Sequence, residues 1–506
     1  MTYVRKNVWE LGDDWADPIL WYARAVADMK TRPLADPTSW RFYSAIHGID
    51  DDLWRKYKYL NDTDVKPSDD VIAEYWEQCQ HATWYFLPWH RGYLLTFEAV
   101  VRAAVVRLGG PADWSLPYWN YSKLNQAGLP PGFQSQTWPD GKGPNPLYVV
   151  ERYGPAGDGN VAVVNATLDP MADHVFIGEY LGGTKGFGGP ITDFQNAGNS
   201  FGDFENQPHN TVHTDVGGIG RTSRGRGLMT DPDTAALDPI FWLHHANIDR
   251  LWEVWRLSSP ENLNPTQPKW INGPTGQGNP KFVTPKPDGT AYEYHPGQLT
   301  DLTSLGYTYD DLLPVAVPAP SDRLIKLGVS LITAKAFEEQ PMVPPGEPEL
   351  VGASAKGINV VGAGADAQVT LDQAPRKALA MSLQNASLGE QPDRVYLNLE
   401  NVTAPADGAV FKVYVALKSR QNPKNHPDLL AGTIALFGVR KASKPDGRHA
   451  GNGVNYTLDI TKIADRLHLD GALDVKQLQV RIVSTESVPA NEAVKIGRIS
   501  IYRQSP

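Results

Sequence analysis

Two stretches in the first half of the chain repeat apolar residues with the period of an α-helix. In residues 89–102 the charged side chains of Arg91, Glu98 and Arg102 are interspersed with an apolar set, namely Leu94, Leu95, Phe97, Val100 and Val101. In residues 244–257 apolar side chains again recur three and four positions apart, at Ile248, Leu251, Trp252 and Trp255. This spacing predicts two amphipathic helices, each with one face in a core.

After about residue 325 the pattern changes to short runs of alternating or β-branched residues, separated by turn-forming stretches. The runs are Val395–Leu399, Val410–Leu417, Gly432–Val439, Asn455–Ile460, Leu478–Val483 and Ala493–Tyr502. Several short strands at this spacing are typical of an all-β sandwich or barrel. All 15 Trp residues lie between Trp9 and Trp270, so the composition also divides the chain into two differently built parts.

These patterns predict a mainly α-helical domain over residues 1–325 and a β-rich, sandwich-like domain over residues 371–506. Residues 326–370 are expected to be a linker or a draped loop, because most of this range is rich in Pro, Gly and Ala. Residues 125–202 are rich in Gly, Pro and Asn. Loops of that length in a compact enzyme usually wrap a site or a partner.

Charge and hydropathy exclude several classes of protein. A net charge of −10 offers no basic field for nucleic acid or anionic lipid. No apolar run approaches the ~20 residues that span a bilayer, and the N-terminus lacks the basic-then-apolar layout of a secretory signal. We therefore expect a soluble, cytoplasmic protein that binds neither nucleic acid nor membrane, although a chain trimmed of its leader would look the same. The oligomeric state is left open.

Histidine is scarce, with 12 in 506 residues, yet half of these residues can be sorted into two sets of three. In one set His209 and His213 are four positions apart, so on a helix both imidazoles point the same way and can share one ion. Either member of the adjacent pair His244 and His245 could complete this set.

The other set lies upstream and is close to the one cysteine of the chain. His81 and His90 are nine positions apart, and His47 precedes them in a segment with a helical pattern. A single cysteine, Cys79, excludes an intramolecular disulfide framework and any Cys-rich metal site. Each histidine alone has an ordinary structural explanation, but the two sets together indicate two metal ions.

Ligand chemistry narrows the choice of metal. Imidazole suits Cu, Zn, Fe and Ni, whereas carboxylates dominate Mg, Ca and Mn sites. The zinc-peptidase helix HExxH is absent, and di-iron or facial-triad enzymes need carboxylate ligands on the same helices. Neutral, all-histidine ligation therefore favours a pair of copper ions that can together bind O₂.

Four segments resemble the type-3 copper family, which includes tyrosinases, catechol oxidases and the oxygen-binding units of molluscan haemocyanins. The segments are HATWYFLPWHRGYLLTFE, LPYWNY, ENQPHNTVH and DPIFWLHHANIDRLW. The resemblance covers about residues 1–325 and implies a catalytic domain with a four-helix bundle and long loops around a dicopper centre. The C-terminal part is similar to the β-rich shielding domain of plant polyphenol oxidases.

The resemblance also implies roles for particular residues. It implies that copper A is held by His47, His81 and His90, and copper B by His209, His213 and His245. The order Cys79-Gln80-His81 is similar to that in fungal tyrosinases and haemocyanins, where the sulfur is joined to the His ring by a thioether. An Arg packed against a Tyr pair in the family corresponds here to Arg5, Tyr307 and Tyr309.

The function implied is the oxidation of small phenols by O₂. Hydroxylation requires that the phenol, whose pKa is near 10, lose its proton, so a base or an ordered water is needed. Glu205 lies four positions before His209 and Asn210 follows it, which is similar to hydroxylating family members. The Glu carboxylate and the Asn carbonyl could together polarise one water. We therefore expect a tyrosinase, which ortho-hydroxylates monophenols and oxidises o-diphenols to o-quinones.

Other functions stay open at this point. A catechol or o-aminophenol oxidase would have the same centre without useful hydroxylase activity. A haemocyanin-like oxygen carrier also covers its site with a β-rich domain, but carriers usually come as repeats of such units, and this chain holds one. If the C-terminal domain is a latency shield, cleavage between about residues 325 and 370 is expected to raise activity.

Overall fold

The chain folds into two compact units in the computed structural model. Contacts group Met1–Leu168, Thr192–Ala197 and Gln207–Val315 into the first unit, and Asp169–Ile191, Gly198–Asn206 and Ala316–Pro506 into the second. The residues that the structure describes are 2–194, 198–222, 225–273, 282–316, 320–338, 345–418, 421–445, 451–473 and 476–506.

The helices are α1 (Asp17–Thr31), α2 (Trp40–His47), α3 (Asp51–Lys56), α4 (Asp69–Tyr75), α5 (Phe86–Arg107), α6 (Pro131–Gln134), α7 (Thr211–Gly217), α8 (Pro232–Ala235), α9 (Ile240–Ser258), α10 (Pro268–Ile271), α11 (Pro320–Lys326), α12 (Leu331–Glu338), α13 (Gln373–Asn385), α14 (Val439–Ala442) and α15 (Thr461–Leu469). The strands are β1 (Tyr3–Arg5), β2 (Ile177–Gly178), β3 (Gly189–Pro190), β4 (Phe282–Pro285), β5 (Ala291–Tyr294), β6 (Tyr307–Tyr309), β7 (Glu349–Ser354), β8 (Ile358–Val360), β9 (Gly362–Leu371), β10 (Arg394–Thr403), β11 (Val410–Val415), β12 (Leu430–Ala435), β13 (Val454–Asp459), β14 (Gln477–Val488) and β15 (Val494–Gln504).

Four helices of the first unit carry histidines of the two predicted sets. Helix α2 ends at His47, α5 contains His90 in its second turn, α7 contains His213, and α9 contains His245. The side chain of Ser39 caps α2 by accepting a backbone N–H bond, which satisfies one of the donors at the helix start. Helices α5 and α9 pack against each other. The predicted helical catalytic core is confirmed.

The two predicted amphipathic helices are longer and more buried than their pattern indicated. They extend over Phe86–Arg107 and Ile240–Ser258. The charged residues Arg91 and Glu98 were expected on a polar face of the first helix, but they are only 1% and 3% exposed. Charge this deep is tolerated because these side chains have partners of opposite charge within the core.

One buried carboxylate, that of Asp249 on α9, contacts α5 and the strands at both ends of the first unit. It accepts hydrogen bonds from Arg91 Nε at 2.5 Å and from the hydroxyls of Tyr307 and Tyr309 at 2.7 and 2.5 Å. Nη1 of Arg5 lies 3.2 Å from the same carboxylate, and β1 pairs in parallel with β6. Burial raises the pKa of Asp249, but Arg91 and Arg5 outweigh burial and hold this pKa below its usual range.

The second unit is dominated by a nine-stranded antiparallel sheet. Its strand order is β12-β11-β14-β9-β7-β15-β10-β13, and β8 pairs with β15. The sheet curls so that its two ends approach, and the Tyr456 hydroxyl on β13 donates to the Ala435 carbonyl on β12 at 3.0 Å. Helix α13 packs on β7 and α15 on β10. The predicted β-rich C-terminal domain is confirmed, as one curled sheet that also carries helices.

The structure corrects the expected linker over residues 326–370. This range contains α12, β7, β8 and most of β9, and the last of these strands pairs with β14 over residues 364–370. Small residues such as those of Gly362–Leu371 carry a weak strand pattern, so long-range pairing rather than local preference places them in the sheet. The Gly-rich region 125–202 is also divided, since Asp169–Ile191 belongs with the second unit.

Within the described part of the chain, no helix combines the length and the apolar character that crossing a membrane requires.

Asp249→Asn is expected to lower the free energy of unfolding of the first unit by about 3–5 kcal/mol, because it removes the charge that two buried guanidinium groups face. Tryptophan fluorescence during chemical denaturation measures this unit, since the 15 Trp residues all belong to it. The folded-state pKa of Asp249 is lowered, so its contribution is present above the carboxyl's unfolded pKa and is lost as the pH falls. The difference in the free energy of unfolding between the wild type and the variant should therefore become smaller as the pH is lowered.

Asp51→Asn is the matched control, because Asp51 forms an exposed ion pair with Lys66 at 2.7 Å. Removal of such a pair should cost less than about 1 kcal/mol. Equal denaturation midpoints for the wild type and Asp249→Asn at neutral pH would contradict the conclusion that this carboxylate stabilises the first unit.

Candidate metal centre

The first histidine cluster brings together His47, His81 and His90, with Cys79 beside them. All four side chains are buried, and His81 lies in the segment that leads into α5. Nε2 of His81 lies 3.3 Å from Nε2 of His47. Two imidazole nitrogens have about this separation when each binds the same ion at ~2.0 Å in tetrahedral geometry.

The second cluster contains His209, His213 and the adjacent pair His244 and His245. Nε2 of His209 lies 3.1 Å from Nε2 of His213 and 3.3 Å from Nε2 of His245. The His244 ring instead stacks on the His209 ring, with centroids 5.3 Å apart. These separations group His245 with the other two rings, and its role as the third ligand stays a prediction.

The two clusters face each other. The His90 and His245 rings stack with centroids 4.4 Å apart and an interplanar angle of 14°. The His81 and His209 rings lie 5.7 Å apart. Two ions bound here would therefore be neighbours in one buried pocket.

Oxygen atoms on the outer side of the clusters orient the rings. The contacts are His47 Nδ1 to the Pro232 carbonyl at 2.8 Å, His90 Nδ1 to the Phe86 carbonyl at 2.8 Å, His213 Nδ1 to the Met229 carbonyl at 2.9 Å, and His209 Nδ1 to Asn210 Oδ1 at 2.9 Å. A carbonyl oxygen can only accept, so each of these Nδ1 atoms carries the proton. The lone pair of Nε2 is then directed into the cluster, which is the arrangement of a metal ligand.

A glycine makes one of these contacts possible. Gly48 follows His47, and a Cβ at this position would lie 2.9 Å from the Pro232 carbonyl oxygen and 2.7 Å from Asp233 Oδ1. This requirement and the three backbone acceptors could not be predicted, because backbone carbonyls have no signature in the sequence.

The electrostatics of the site favour the uncharged form of three predicted ligands. Burial lowers the pKa of His90, His213 and His245 well below the usual histidine range, and neighbouring imidazoles lower it further. Neutral imidazole is the form that binds a metal. Among the described residues neither cluster includes a carboxylate, so the donor set fits copper better than it fits Mg, Ca, Mn or a di-iron centre.

Comparison with known proteins agrees with this geometry. The tyrosinase HcTyr1 of Hahella sp. (strain CCB-MM4) is 32% identical over 514 residues, which cover 99% of each chain. The chain belongs to the tyrosinase family. The common central domain of tyrosinase matches residues 37–258, a range that contains all six predicted ligands. Residues 347–504 match a domain family of unknown function, DUF7868.

Plant and fungal members of the family are more distant. Catechol oxidase B of Solanum tuberosum is 28% identical over 210 residues, which are 38% of this chain and 33% of that protein. The structure of latent apple tyrosinase covers 100% of this chain and 98% of its own, with a TM-score of 0.60 at 19% identity. The structure of recombinant mushroom tyrosinase has a TM-score of 0.50 at 16% identity, and the match covers 99% of this chain and 92% of that one. The protein is thus a type-3 copper oxidase of the tyrosinase and polyphenol oxidase group.

Cys79, predicted to be cross-linked to His81, is buried in the first histidine cluster. Its Sγ lies 3.4 Å from Nε2 of His90 and within 4.8 Å of a ring nitrogen of His81, so both imidazoles are near the sulfur. The cross-link stays a prediction.

Asn210 contacts the site differently from the sequence-based expectation. Its carbonyl was expected to hold a water, but Oδ1 accepts a hydrogen bond from His209 Nδ1. Nδ2 of Asn210 is buried and has no hydrogen-bond partner among the described residues. The amide nitrogen, rather than the carbonyl, is therefore the group available to a water or a substrate oxygen.

Glu205 is 1% exposed and begins the helical element Glu205–Asn210. The boundary between the two units falls inside this element, after Asn206. The proposed role of Glu205 as a base stays a prediction.

Two phenylalanine rings lie against both histidine clusters. The Phe86 ring is 4.6 Å from those of His90 and His209, and the Phe241 ring is 4.9 Å from that of His47 and 4.1 Å from that of His245. Phe86 was not predicted to be a site residue from the sequence. Apolar rings here exclude water from the imidazoles.

His245→Ala is expected to reduce bound copper from about two ions to about one per chain, because it removes a predicted ligand of copper B. His244→Ala is the matched control, since it is an adjacent and equally buried imidazole and should retain both ions. Metal analysis after dialysis against excess copper measures both variants. The opposite result, with copper lost in His244→Ala and retained in His245→Ala, would reverse the assignment.

Proposed function

We propose that this copper oxidase is a tyrosinase, which hydroxylates monophenols at the ortho position and oxidises o-diphenols to o-quinones. The observation that carries the proposal is the buried amide of Asn210, whose Oδ1 orients a predicted copper-B ligand and whose Nδ2 has no partner among the described residues. HcTyr1, which matches over 99% of both chains, is named a tyrosinase, and this also supports hydroxylation. When bound, the two copper ions supply O₂ binding and the redox chemistry.

The protein's own residues have to provide a group that accepts the phenol proton. A monophenol has a pKa near 10, so it must lose its proton to the site at neutral pH. We infer that a water accepts a hydrogen bond from Asn210 Nδ2 and donates one to the carboxylate of Glu205. The phenol proton passes to this water, and a water proton passes to Glu205.

Diphenol oxidation depends less on this arrangement. The aromatic walls formed by Phe86 and Phe241 and the imidazole clusters serve both reactions, whereas the Asn210–water–Glu205 path serves the first deprotonation. A catechol oxidase would keep the clusters and make no use of the amide. An oxygen carrier would bind O₂ reversibly and turn over neither substrate.

Oxygen uptake by the copper-loaded protein tests the proposal, with 4-tert-butylphenol and 4-tert-butylcatechol side by side. Both should be consumed, the monophenol after a lag. Consumption of the catechol alone would establish a catechol oxidase, and reversible O₂ binding without turnover would establish a carrier.

Two substitutions separate the two functions of the amide. Asn210→Asp keeps an oxygen acceptor for His209 Nδ1 but loses the N–H donor, so monophenol turnover should fall about 100-fold while diphenol turnover changes little. Asn210→Leu loses both, so both rates should fall, by about 10–100-fold for the diphenol. Equal losses of both activities in Asn210→Asp would refute the hydroxylase role of the amide.

A thioether between Cys79 Sγ and a ring carbon of His81 is our second proposal for the centre. In its formation a C–S bond replaces one S–H and one C–H bond, and two protons and two electrons pass to O₂. Copper loading in air should therefore lower the intact mass by two hydrogens. Alkylation has to follow denaturation, because Cys79 is only 1% exposed in the folded protein.

Peptide fragmentation would show whether His81 or the neighbouring His90 carries the sulfur. Complete alkylation of Cys79 in the copper-loaded, denatured protein would exclude the cross-link.

A further inference from the structure

The segment Gly198–Asn206, called here the approach segment, leads directly to His209 but belongs with the second unit. It carries Glu205, and before Glu205 it contains no extended regular element of its own. A segment with the sequence GNSFGDFEN has little intrinsic preference for one conformation, so its contacts must determine its position.

Strand β13 holds the start of the approach segment. The backbone N–H of Asn455 donates to the Asn199 carbonyl at 2.7 Å, and Ser200 forms a parallel bridge with Asn455. The Phe201 ring lies 5.7 Å from the Tyr456 ring. Ser200 and Phe201 are 0% and 4% exposed, so this end of the segment is packed rather than draped.

Strand β15 holds the second half of the approach segment indirectly, through residues 184–187. Gln504 Oε1 accepts from the backbone N–H of Thr184 at 3.1 Å, which fixes the chain just before Gly186. The Gly186 carbonyl accepts from the N–H of Asp203 at 2.9 Å. Next to this contact, the rings of Phe187 and Phe204 stack with centroids 4.5 Å apart.

Glu205 itself is within electrostatic reach of the sheet. Burial raises the pKa of the Tyr456 hydroxyl well above its usual range, and the carboxylates of Asp407 and Glu205 raise it further. The same tyrosine that packs on Phe201 therefore also interacts electrostatically with Glu205.

We propose that the C-terminal sheet is a positioning scaffold for Glu205, with Tyr456 and Gln504 as positioning residues. This inference rests on the role proposed for Glu205 in deprotonating the phenol. A domain that served only as a cover would make no difference to the geometry of the base. In the arrangement inferred here, loosening the sheet's hold on the approach segment reduces hydroxylation selectively.

Tyr456→Leu removes the ring that packs on Phe201, and Gln504→Leu removes the acceptor of the Thr184 N–H. In the full-length, copper-loaded protein, either change should accelerate hydrogen–deuterium exchange in a peptide spanning residues 198–206 about tenfold. The ratio of monophenol to diphenol turnover should fall about tenfold as well, because a displaced base is a poor proton acceptor. Copper content should be unchanged, and Tyr456→Phe, which keeps the ring, should restore both values.

Phe411→Leu is the matched control for general loss of packing. Phe411 is 1% exposed in β11, which pairs with β12 and β14 rather than with the strands that contact the approach segment. It should leave both the exchange in residues 198–206 and the turnover ratio within about twofold of the wild type. If Tyr456→Leu does not fold, the milder Gln504→Leu still tests the proposal.

Unchanged exchange in residues 198–206 in folded Tyr456→Leu and Gln504→Leu would overturn the proposal. Faster exchange with an unchanged turnover ratio would also overturn it, provided that Glu205→Gln lowers that ratio. If Glu205→Gln leaves the ratio unchanged, the proposed base is wrong, and the exchange measurement alone then decides whether the sheet holds the segment. The two failures are therefore distinguishable.

Discussion

Several imidazole rings can share a buried pocket and bind a metal only if they are uncharged, and here four of the rings are also oriented by an acceptor on their outer side. Here burial and mutual repulsion lower the pKa of His90, His213 and His245, so protons do not compete with a metal. In His47, His90, His209 and His213 an acceptor at Nδ1 leaves the lone pair of Nε2 facing the pocket. The chemistry of the site thus depends on a few backbone carbonyls, such as those of Pro232 and Met229, staying where they are.

A buried charge network in the first unit holds the two longest ligand-bearing helices together. Asp249 lies four residues after His245, one helical turn along α9, and it receives hydrogen bonds from α5 and from the strand near the end of the unit. Its partners Arg91 and Arg5 would be unstable in the interior without it. The same network therefore fixes the two longest helices against each other, and with them ligands from both clusters.

The sequence was sufficient to predict the ligand-bearing helices and the β-rich second domain. The four-residue spacing of His209 and His213 and the period of α9 are local signals that survive folding. The burial of Arg91 could not be predicted, since its partner Asp249 lies 158 positions away. The assignment of Gly198–Asn206 to the second unit was equally invisible, because it depends on long-range contacts to β13 and, through the layer around Gly186, to β15.

The contacts of the Asn210 side chain also could not be predicted from the sequence. Its position after His209 indicated a role, but only the geometry shows that Oδ1 is used by the ring and that Nδ2 is the available group. Sequence identifies which residues take part, and the folded structure decides which atom of each does so.

The most direct test of the account is anomalous diffraction from crystals of the copper-loaded protein, recorded on both sides of the copper absorption edge. Two peaks should appear, one among Nε2 of His47, His81 and His90 and one among Nε2 of His209, His213 and His245. A single peak, a signal at the zinc edge instead, or a second ion bound through His244 would contradict it.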